Sequence, residues 1–376
     1  MNETVLTWIV FILAFGGMVL IHEFGHFIVA RLCGIEVEEF GIGLPTPGAV
    51  KLFTWKGTRF TLNWLPLGGF VRPKGENDPN VPGGLAAASP WKRLAVLFAG
   101  PLMNLLAAVI IYSIIFNRVG VPDTTKVLIA SVVKESSAAA AGFQDGDILV
   151  SGNVQAISNY DELREIIDSN VDKPINFVVN RNGEEIKLVA TPHLNPTENR
   201  AMIGVGLGVP FKQRASIGET LGLGIQYTGY SVRALISLPA QLLRGTVSPE
   251  QGRIIGLKGI YDVLQQSVSH DVEASNNNNS SNTPATPTTT NPVDQPVRTL
   301  ELLASLTISL GVFNLFPFPA LDGGRIIFIL PELIFRRRVS PQVENFVHGM
   351  GMAFLLLFML YVNVMDFINP ANINIP

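Results

Sequence analysis

An almost unbroken apolar stretch at residues 5–30 constrains this chain more than any other feature of its sequence. About 20 helical residues cross the hydrocarbon core of a bilayer, so the stretch is long enough to span one. It lacks the basic start of a secretory signal peptide and is too long to be one. The stretch therefore predicts a retained membrane helix, and that helix contains three ionisable residues, His22, Glu23 and His26.

Composition excludes several classes of protein. Of the 376 residues, 47% are hydrophobic and 15% are charged, against roughly 25% charged in an ordinary soluble domain. The net charge of −3 supplies no basic field that would attract nucleic acid, so no nucleic-acid partner is expected. The single cysteine, Cys33, excludes an intrachain disulfide. These values predict a membrane protein of two or three domains.

Three further apolar stretches predict three more membrane helices. Residues 90–116 follow Ser89 and begin with Pro90, which is a good helix-start signal, and residues 300–321 and 346–367 complete the set. The expected fold is a polytopic α-helical membrane protein with about four transmembrane helices.

The lysines and arginines of the connecting loops predict the orientation of these helices. They concentrate at residues 31–93 and 325–338, and short cytoplasmic loops are enriched in such residues. Both loops are therefore expected in the cytoplasm, with both termini and residues 117–298 outside the cell membrane.

The long exported stretch divides by composition. Residues 127–191 alternate short apolar runs with turn residues, which predicts a small β-rich domain. Within a helical region at 211–268, residues 220–243 form either a surface helix or a fifth span, and their glycines and Arg233 favour the surface. Residues 275–292 are almost entirely Ser, Asn, Thr and Pro, which predicts a disordered tether. The expected domains are membrane helices one and two (1–117), the β-rich domain (118–195), the helical region (196–270), the linker (271–298) and membrane helices three and four (299–376).

Residues 49–64 predict a β-hairpin on the cytoplasmic side, because two alternating segments flank Lys56 and Gly57. Four aromatic residues are expected to face outward and dip into the bilayer: Phe53, Trp55, Phe60 and Trp64. An unpaired strand edge at Phe60 and Leu62 is expected to be a template for a strand of a bound partner.

The segment His22-Glu23-Phe24-Gly25-His26 has the pattern H-E-x-x-H. On a helix the two histidines lie about 6 Å apart along the axis and on one face, so both rings can bind one metal ion. Glu23 beside them is the candidate general base of a peptidase. The alternative is a polar patch that holds two membrane helices together, but ionisable groups inside a span persist mainly where they serve a site.

A catalytic zinc site needs a third protein ligand, and Asp322 is the best candidate. His22 lies roughly 25 Å along its helix from the outer surface, in the inner half of the membrane, and Asp322 ends the third span on the same side. His348 and Asp366 are the competing candidates. His348 stands near a basic helix start and Asp366 near the outer end, where polar residues are commonly interfacial, so neither is favoured.

Pro317 and Pro319 interrupt the third span, and non-helical backbone at membrane depth is tolerated where it lines a cavity. The alternative is a simple kink in a packed helix, which the neighbouring Asn314 and Asp322 make less attractive. A helical substrate must unwind to present a peptide carbonyl, and Asn314 is expected to hydrogen-bond the freed backbone.

At these residues the sequence resembles the site-2 protease family of intramembrane zinc metalloproteases, specifically the bacterial group with four spans and an exported PDZ domain. Its N-x-x-P-x-P lead into an L-D-G element is matched by Asn314, Pro317, Pro319 and the residues that follow. The resemblance implies that the zinc ligands are His22, His26 and Asp322, and that the base is Glu23.

Other segments extend the resemblance. Residues 41–43 and 65–70 look like the membrane-dipping β-loop of the family, and residues 100–104 look like the start of its second span. Residues 127–191 look like a PDZ domain, which implies a peptide ligand, although the sequence departs from the usual Asn-Gly hairpin at 151–153.

The resemblance implies regulated intramembrane proteolysis in the lipid bilayer. The substrates would be single-span membrane proteins, such as an anti-sigma factor or signal-peptide remnants, with the PDZ-like domain excluding bulky ones. Two other functions stay open: a membrane metal transporter or sensor that uses the same three ligands, and a catalytically silent scaffold that works through the PDZ-like domain. Glu23 discriminates, because only a hydrolase needs it as a base.

Overall fold

The computed structural model of the chain describes residues 2–195, 200–212, 216–245, 253–280 and 295–369. The chain divides into two compact units. The first contains Met1–Ile114, Leu221–Glu273 and Val297–Pro376, and the second contains Ile115–Thr220 and Ala274–Pro296.

The helices of the described residues are, in chain order, α1 (Glu3–Leu32), α2 (Pro90–Val119), α3 (Ser137–Ala141), α4 (Tyr160–Asp168), α5 (Ile217–Leu243), α6 (Leu257–Ser280), α7 (Arg298–Asn314), α8 (Asp322–Phe335) and α9 (Pro341–Ile368). The strands are β1 (Val37–Leu44), β2 (Val50–Trp55), β3 (Thr58–Leu62), β4 (Leu65–Pro73), β5 (Val121–Pro122), β6 (Val127–Val132), β7 (Ile148–Gly152), β8 (Gln155–Ala156), β9 (Ile175–Arg181), β10 (Glu184–Ala190), β11 (His193–Asn195), β12 (Arg200–Met202), β13 (Val205–Gly208) and β14 (Phe211–Lys212).

Three helices among the described residues are long and apolar enough to cross a membrane: α1, α2 and α9. They cover three of the four predicted spans. The fourth, predicted at residues 300–321, is represented by α7, which has 17 residues and is therefore about 25 Å long. It ends at Asn314 because Pro317 and Pro319 cannot continue its hydrogen bonding. The chain then turns and starts α8 at Asp322.

Small residues bring α1 and α2 close together. A Cβ atom added at Gly25 of α1 would collide with the carbonyl of Ala99 and the side chain of Met103 in α2. Close approach through a glycine is a common way for membrane helices to pack. This crossing lies one residue before His26, so it places the H-E-x-x-H turn directly against α2.

The first unit contains a four-stranded sheet in the order β2-β3-β1-β4. The predicted hairpin is present as β2 and β3. β3 also pairs in parallel with β1, and β1 pairs antiparallel with β4. Phe60 and Leu62 therefore lie on an interior strand, and the prediction that they form an unpaired edge is wrong. The edges of this sheet are β2 and β4, because β1 pairs with the side of β3 that the hairpin leaves free.

The aromatic residues of the hairpin are not equivalent. Phe53, Trp55 and Trp64 are 54%, 49% and 76% exposed, as predicted. Phe60 instead packs on the apolar cluster around Phe27 and Phe40, so the expectation that it faces outward is wrong.

α5 and α6 pack against the helices of the first unit. α5 contacts α2 at Gly224, where a Cβ would collide with the carbonyl of Val109. Its Val232 and Leu235 pack on a cluster formed by α2 and α7. α5 is not among the three helices that are long and apolar enough to cross a membrane. The surface position that the sequence favours for it stays a prediction.

α6 joins three other helices of the first unit. Its Leu264 and Val268 pack on Phe11 of α1, and its Asp271 accepts hydrogen bonds from the backbone N–H groups of Arg298 and Thr299 at the start of α7. The helix continues to Ser280, beyond residue 271 where the linker was expected to begin, because elongation of an existing helix adds a hydrogen bond for each residue fixed. Residues 281–294 of the expected tether lie outside the described residues.

The second unit is built on a sheet in the order β10-β9-β7-β6-β13, with β8 paired to β7. Alternate residues of β9 point into its core: Ile175, Phe177 and Val179. Helix α4 packs its buried face on the same core. β13 lies beyond the predicted boundary at residue 195 and pairs with β6.

Candidate metal centre

Three side chains from two distant parts of the sequence meet in the first unit. The Nε2 atoms of His22 and His26 are 3.1 Å apart. The Oδ2 atom of Asp322, which is 300 residues from His22, lies 3.1 Å and 3.3 Å from these two nitrogens. The three residues are the group of potential metal ligands that the described residues bring together. They are the same three that the sequence predicts.

Each histidine makes a second contact that orients its ring. The Nδ1 atom of His26 lies 2.7 Å from the carbonyl oxygen of Val96 in α2. Since a carbonyl only accepts, His26 carries its proton on Nδ1 and its Nε2 lone pair faces the other two ligands. The Nδ1 atom of His22 faces the amide of Asn104, with 3.3 Å to Nδ2.

The amide of Asn104 is informative because it is completely buried. Its Oδ1 atom has no hydrogen-bond partner within the described part of the chain. The two ends of an amide are nearly indistinguishable in shape and are assigned from their hydrogen bonds. Rotating the amide places Oδ1 on His22, where it accepts a proton from Nδ1. His22 then also presents an Nε2 lone pair to the site.

Lone pairs on two nitrogens and one carboxylate oxygen therefore converge, an arrangement that a cation stabilises. Donor atoms about 2.0–2.2 Å from a tetrahedral Zn²⁺ are separated by roughly 3.3–3.6 Å, close to the 3.1–3.3 Å found here. A Cβ atom at Gly100 of α2 would collide with both Nε2 atoms. Glycine at this position keeps the space between the ligands open, so the residues fit a zinc ion.

A tight turn between α7 and α8 delivers Asp322 to the site. Ala320 has a left-handed backbone with φ of +75°, and Asp322 is the first residue of α8. The paired glycines that follow are required by close packing, because a Cβ at Gly323 or Gly324 would collide with backbone carbonyls of residues 315, 316 and 318. The glycines thus allow the first helical turn of α8 to pack against residues 315–318, which precede it.

Glu23 lies beside the three ligands and contacts the sheet. Its Oε2 atom accepts a hydrogen bond of 3.1 Å from the backbone N–H of Val71 in β4. β4 is an edge strand, and Val71 turns this N–H toward α1. Glu23 is therefore held between the metal ligands and an edge of the sheet.

A cavity of about 300 Å³ opens onto this arrangement. Its walls include all four site residues together with Asn314, Phe70, Val71 and Arg325. Arg325 pairs with Glu76 across the cavity wall. Asn314 thus lies where the sequence predicts it. Pro317 and Pro319 lie in the turn that carries Asp322, and Phe60 and Leu62 lie on β3, outside the lining of this cavity.

The two competing ligand candidates have other partners. His348 accepts a hydrogen bond of 2.8 Å from the backbone N–H of Ala320. Asp366 has a side chain only 1% exposed, so its interpretation as an interfacial residue is wrong. It lies under the start of α6, where the N–H groups of Gly256, just before the helix, and of Gly259 donate to Oδ2 at 2.7 and 3.2 Å.

Sequence reasoning missed Gly100 and Asn104 as site residues, although residues 100–104 were noted as the start of a span. The signal for Asn104 was present, because an amide inside an apolar span marks a polar partner. The sequence alone does not indicate the role of Gly100, because that role depends on α2 crossing α1 at the two histidines.

A largely buried His-His-Asp group with an adjacent glutamate, among helices apolar enough to cross a membrane, defines the class of membrane metalloproteases. The family model of peptidase family M50, the site-2 protease family, matches residues 10–358. The chain belongs to that family.

Curated relatives agree over nearly the whole length. A Bartonella henselae protein named as a candidate zinc metalloprotease is 29% identical over 374 residues, covering 93% of this chain and 98% of its own. A Clostridium perfringens protein with the same kind of name is 30% identical over 362 residues, covering 96% and 98%. Metalloprotease MmpA of Caulobacter vibrioides is 28% identical over 379 residues, covering 92% and 91%. Family and names support a zinc metalloprotease in a membrane.

Proposed function

We propose that the protein is an intramembrane zinc metalloprotease that hydrolyses peptide bonds within the transmembrane segments of single-span membrane proteins. The observation that carries the proposal is the convergence of His22, His26 and Asp322 beside Glu23. Three protein ligands leave one position open, which is the arrangement of a catalytic zinc rather than a structural one.

Each side chain has a defined task in this proposal. His22, His26 and Asp322 would hold Zn²⁺, which when bound polarises the scissile carbonyl and lowers the pKa of a water molecule. Glu23 takes a proton from the attacking water and delivers it to the leaving amine nitrogen. The carbonyl of Val96 and the amide of Asn104 keep both imidazole rings in the tautomer that the ligands require.

The substrate reaches the site as an extended strand. The edge of β4 that faces the cavity offers main-chain groups next to Glu23, and an added strand would unwind the substrate helix beside the ligands. β4 therefore takes the role that sequence analysis assigned to Phe60 and Leu62 on β3. Asn314, from the opposite wall, is placed to hydrogen-bond the unwound backbone, and Pro317 and Pro319 shape the turn below it.

The proposed location is the cell membrane, with four spans formed by α1, α2, α7 and α9. The basic loops lie in the cytoplasm, and both termini and the second unit lie outside. The exposed Phe53, Trp55 and Trp64 dip into the bilayer. The domain boundaries given above remain part of this proposal, except those at residues 195 and 271, which β13 and α6 cross.

We propose that the second unit is a PDZ-like domain with a peptide ligand. A groove of about 230 Å³ runs between α4 and the strands β12 and β13, and β13 is the last strand of its sheet. An extended peptide fits such a groove by pairing with the edge of β13. The proposed substrates, an anti-sigma factor or signal-peptide remnants, would be screened by size at this domain.

The deciding experiment compares the purified protein with its Glu23→Gln variant on a model single-span substrate. The variant is expected to keep one zinc ion per chain and to lose cleavage by about 10²- to 10⁴-fold, because the base is removed while the ligands stay. Zinc content and product formation are measured on the same preparations.

Glu38→Gln, at an exposed position of β1, is the matched control and should cleave like the parent. Unchanged cleavage by Glu23→Gln would contradict the role of the base. Zinc binding without any cleavage by the parent would favour a metal transporter or sensor, and absence of zinc in the parent would favour a scaffold.

A further inference from the structure

Helix α9 contacts the turn that carries Asp322 at three successive residues. The pairs are Ala320 with His348, Pro319 with Gly351, and Phe318 with Phe354. The contacts on α9 are three residues apart, so they form one stripe along the helix. The turn therefore lies along α9 as a continuous segment.

The contact at Ala320 differs from the other two because it is a hydrogen bond. The backbone N–H of Ala320 donates to Nδ1 of His348 at 2.8 Å. Ala320 has φ of +75°, a conformation that is unfavourable for a residue with a Cβ atom and persists only where the surroundings impose it. Asp322 follows two residues later.

The ring of His348 is fixed for this contact. Because Nδ1 accepts, the proton of the neutral ring is on Nε2. That atom is buried and has no hydrogen-bond partner in the described part of the chain. The ring also packs on Phe328 of α8, with ring centroids 5.4 Å apart. An apolar side chain would fill this space without an unpaired donor, so the feature that only histidine supplies here is the acceptor at Nδ1.

We propose that His348 is a positioning residue of the metal site. Its Nδ1 holds Ala320 in the left-handed conformation and thereby sets the direction in which α8 begins, so that Asp322 reaches the two histidines. The inference rests on the zinc site proposed above. It adds a fourth helix, α9, to those that determine the site.

The test measures metal binding rather than cleavage. His348→Leu is expected to weaken zinc affinity about tenfold, which is the size of effect found for outer partners of metal ligands. His348→Asn should keep the affinity of the parent, because its Oδ1 replaces Nδ1 as the acceptor. Affinities are measured by competition with a chelator, and the visible absorption of the Co²⁺-loaded protein reports the ligand geometry.

Combining Ala320→Gly with His348→Leu tests whether the lost affinity comes from the backbone conformation of residue 320. Glycine adopts positive φ without strain, so Ala320→Gly in the His348→Leu background should recover most of the lost affinity. Met350→Leu, at a 61% exposed position of α9, is the control and should match the parent. An unchanged affinity in His348→Leu, an equal loss in His348→Leu and His348→Asn, or no recovery in the double variant would overturn the proposal.

Hydrogen exchange tests the same contact directly, without a measurement of metal binding. The amide hydrogen of Ala320 should exchange slowly in the parent and in His348→Asn. Exchange of this amide as fast as in an exposed loop would also overturn the proposal. Zinc binding by the parent tests the metal site itself, so failure of the site and failure of His348 are distinguishable.

Discussion

The metal centre contains a partly buried aspartate and the junction between α6 and α9 a fully buried one, and the groups around the two carboxylates are opposite in kind. Asp366 at the junction faces groups that bring protons: the guanidinium of Arg253, with Nη2 at 3.2 Å, and the backbone N–H groups of Gly256 and Gly259. Asp322 faces the Nε2 atoms of His22 and His26, which present lone pairs.

The difference shows how a buried carboxylate reveals its role. A carboxylate surrounded by donors is satisfied by the protein and needs nothing further. A carboxylate surrounded by lone pairs marks a site for a cation. The two aspartates are alike in sequence context, since each lies at the end of an apolar stretch, and only their neighbours separate a structural role from a chemical one.

Removing Asp322 has the largest expected effect. Asp322→Ala deletes one of three ligands, so zinc affinity should fall by more than about 100-fold, beyond the loss caused by removing an outer partner. Zinc content after dialysis against a chelator measures this. Asp262→Ala, an aspartate paired within α6, is the control, and equal zinc content in both variants would show that the third ligand lies elsewhere.

Removing Asp366 should affect stability and leave the metal in place. Asp366→Ala removes the carboxylate that Arg253 contacts beside the carbonyl of Asn369 and leaves two backbone N–H groups unpaired at the junction, so the free energy of unfolding should fall by about 3 kcal/mol. Denaturant unfolding of the detergent-solubilised protein measures the change, and the folded variant should retain one zinc ion. Loss of zinc with unchanged stability would reverse the roles assigned to the two aspartates.

Replacing Asn104 should produce the smallest effect. Asn104→Leu removes the acceptor for Nδ1 of His22, so zinc affinity should fall by about tenfold. Asn104→Asp keeps an oxygen acceptor and should bind zinc more tightly than Asn104→Leu. If both variants bind equally well, the amide does not orient His22.

The sequence predicted those parts of the fold that depend on residues close together along the chain. The apolar runs gave the positions of α1, α2 and α9, and the spacing of His22 and His26 placed both rings on one helix face. The turn residues Lys56 and Gly57 correctly predicted the hairpin. These features depend on neighbours within a few residues along the chain.

Pairing between distant segments was beyond the sequence. The sequence places Phe60 on an edge because no residue of β3 indicates its pairing with β1, which lies about twenty residues earlier in the chain. The sequence places Asp366 at the interface because no neighbouring residue indicates a contact with Gly256. The backbone N–H of Gly256, 110 residues earlier in the chain, donates to its carboxylate. In both cases the deciding contact joins segments whose own patterns are unchanged by it.

The separation of the ligands along the chain has a consequence for biosynthesis. His22 and His26 emerge from the ribosome first, and Asp322 follows 300 residues after His22, which at common elongation rates takes roughly 15 to 60 s. No nascent or truncated product that stops before Asp322 can hold the full ligand set. Any activity that needs all three ligands therefore begins only after Asp322 has been synthesised.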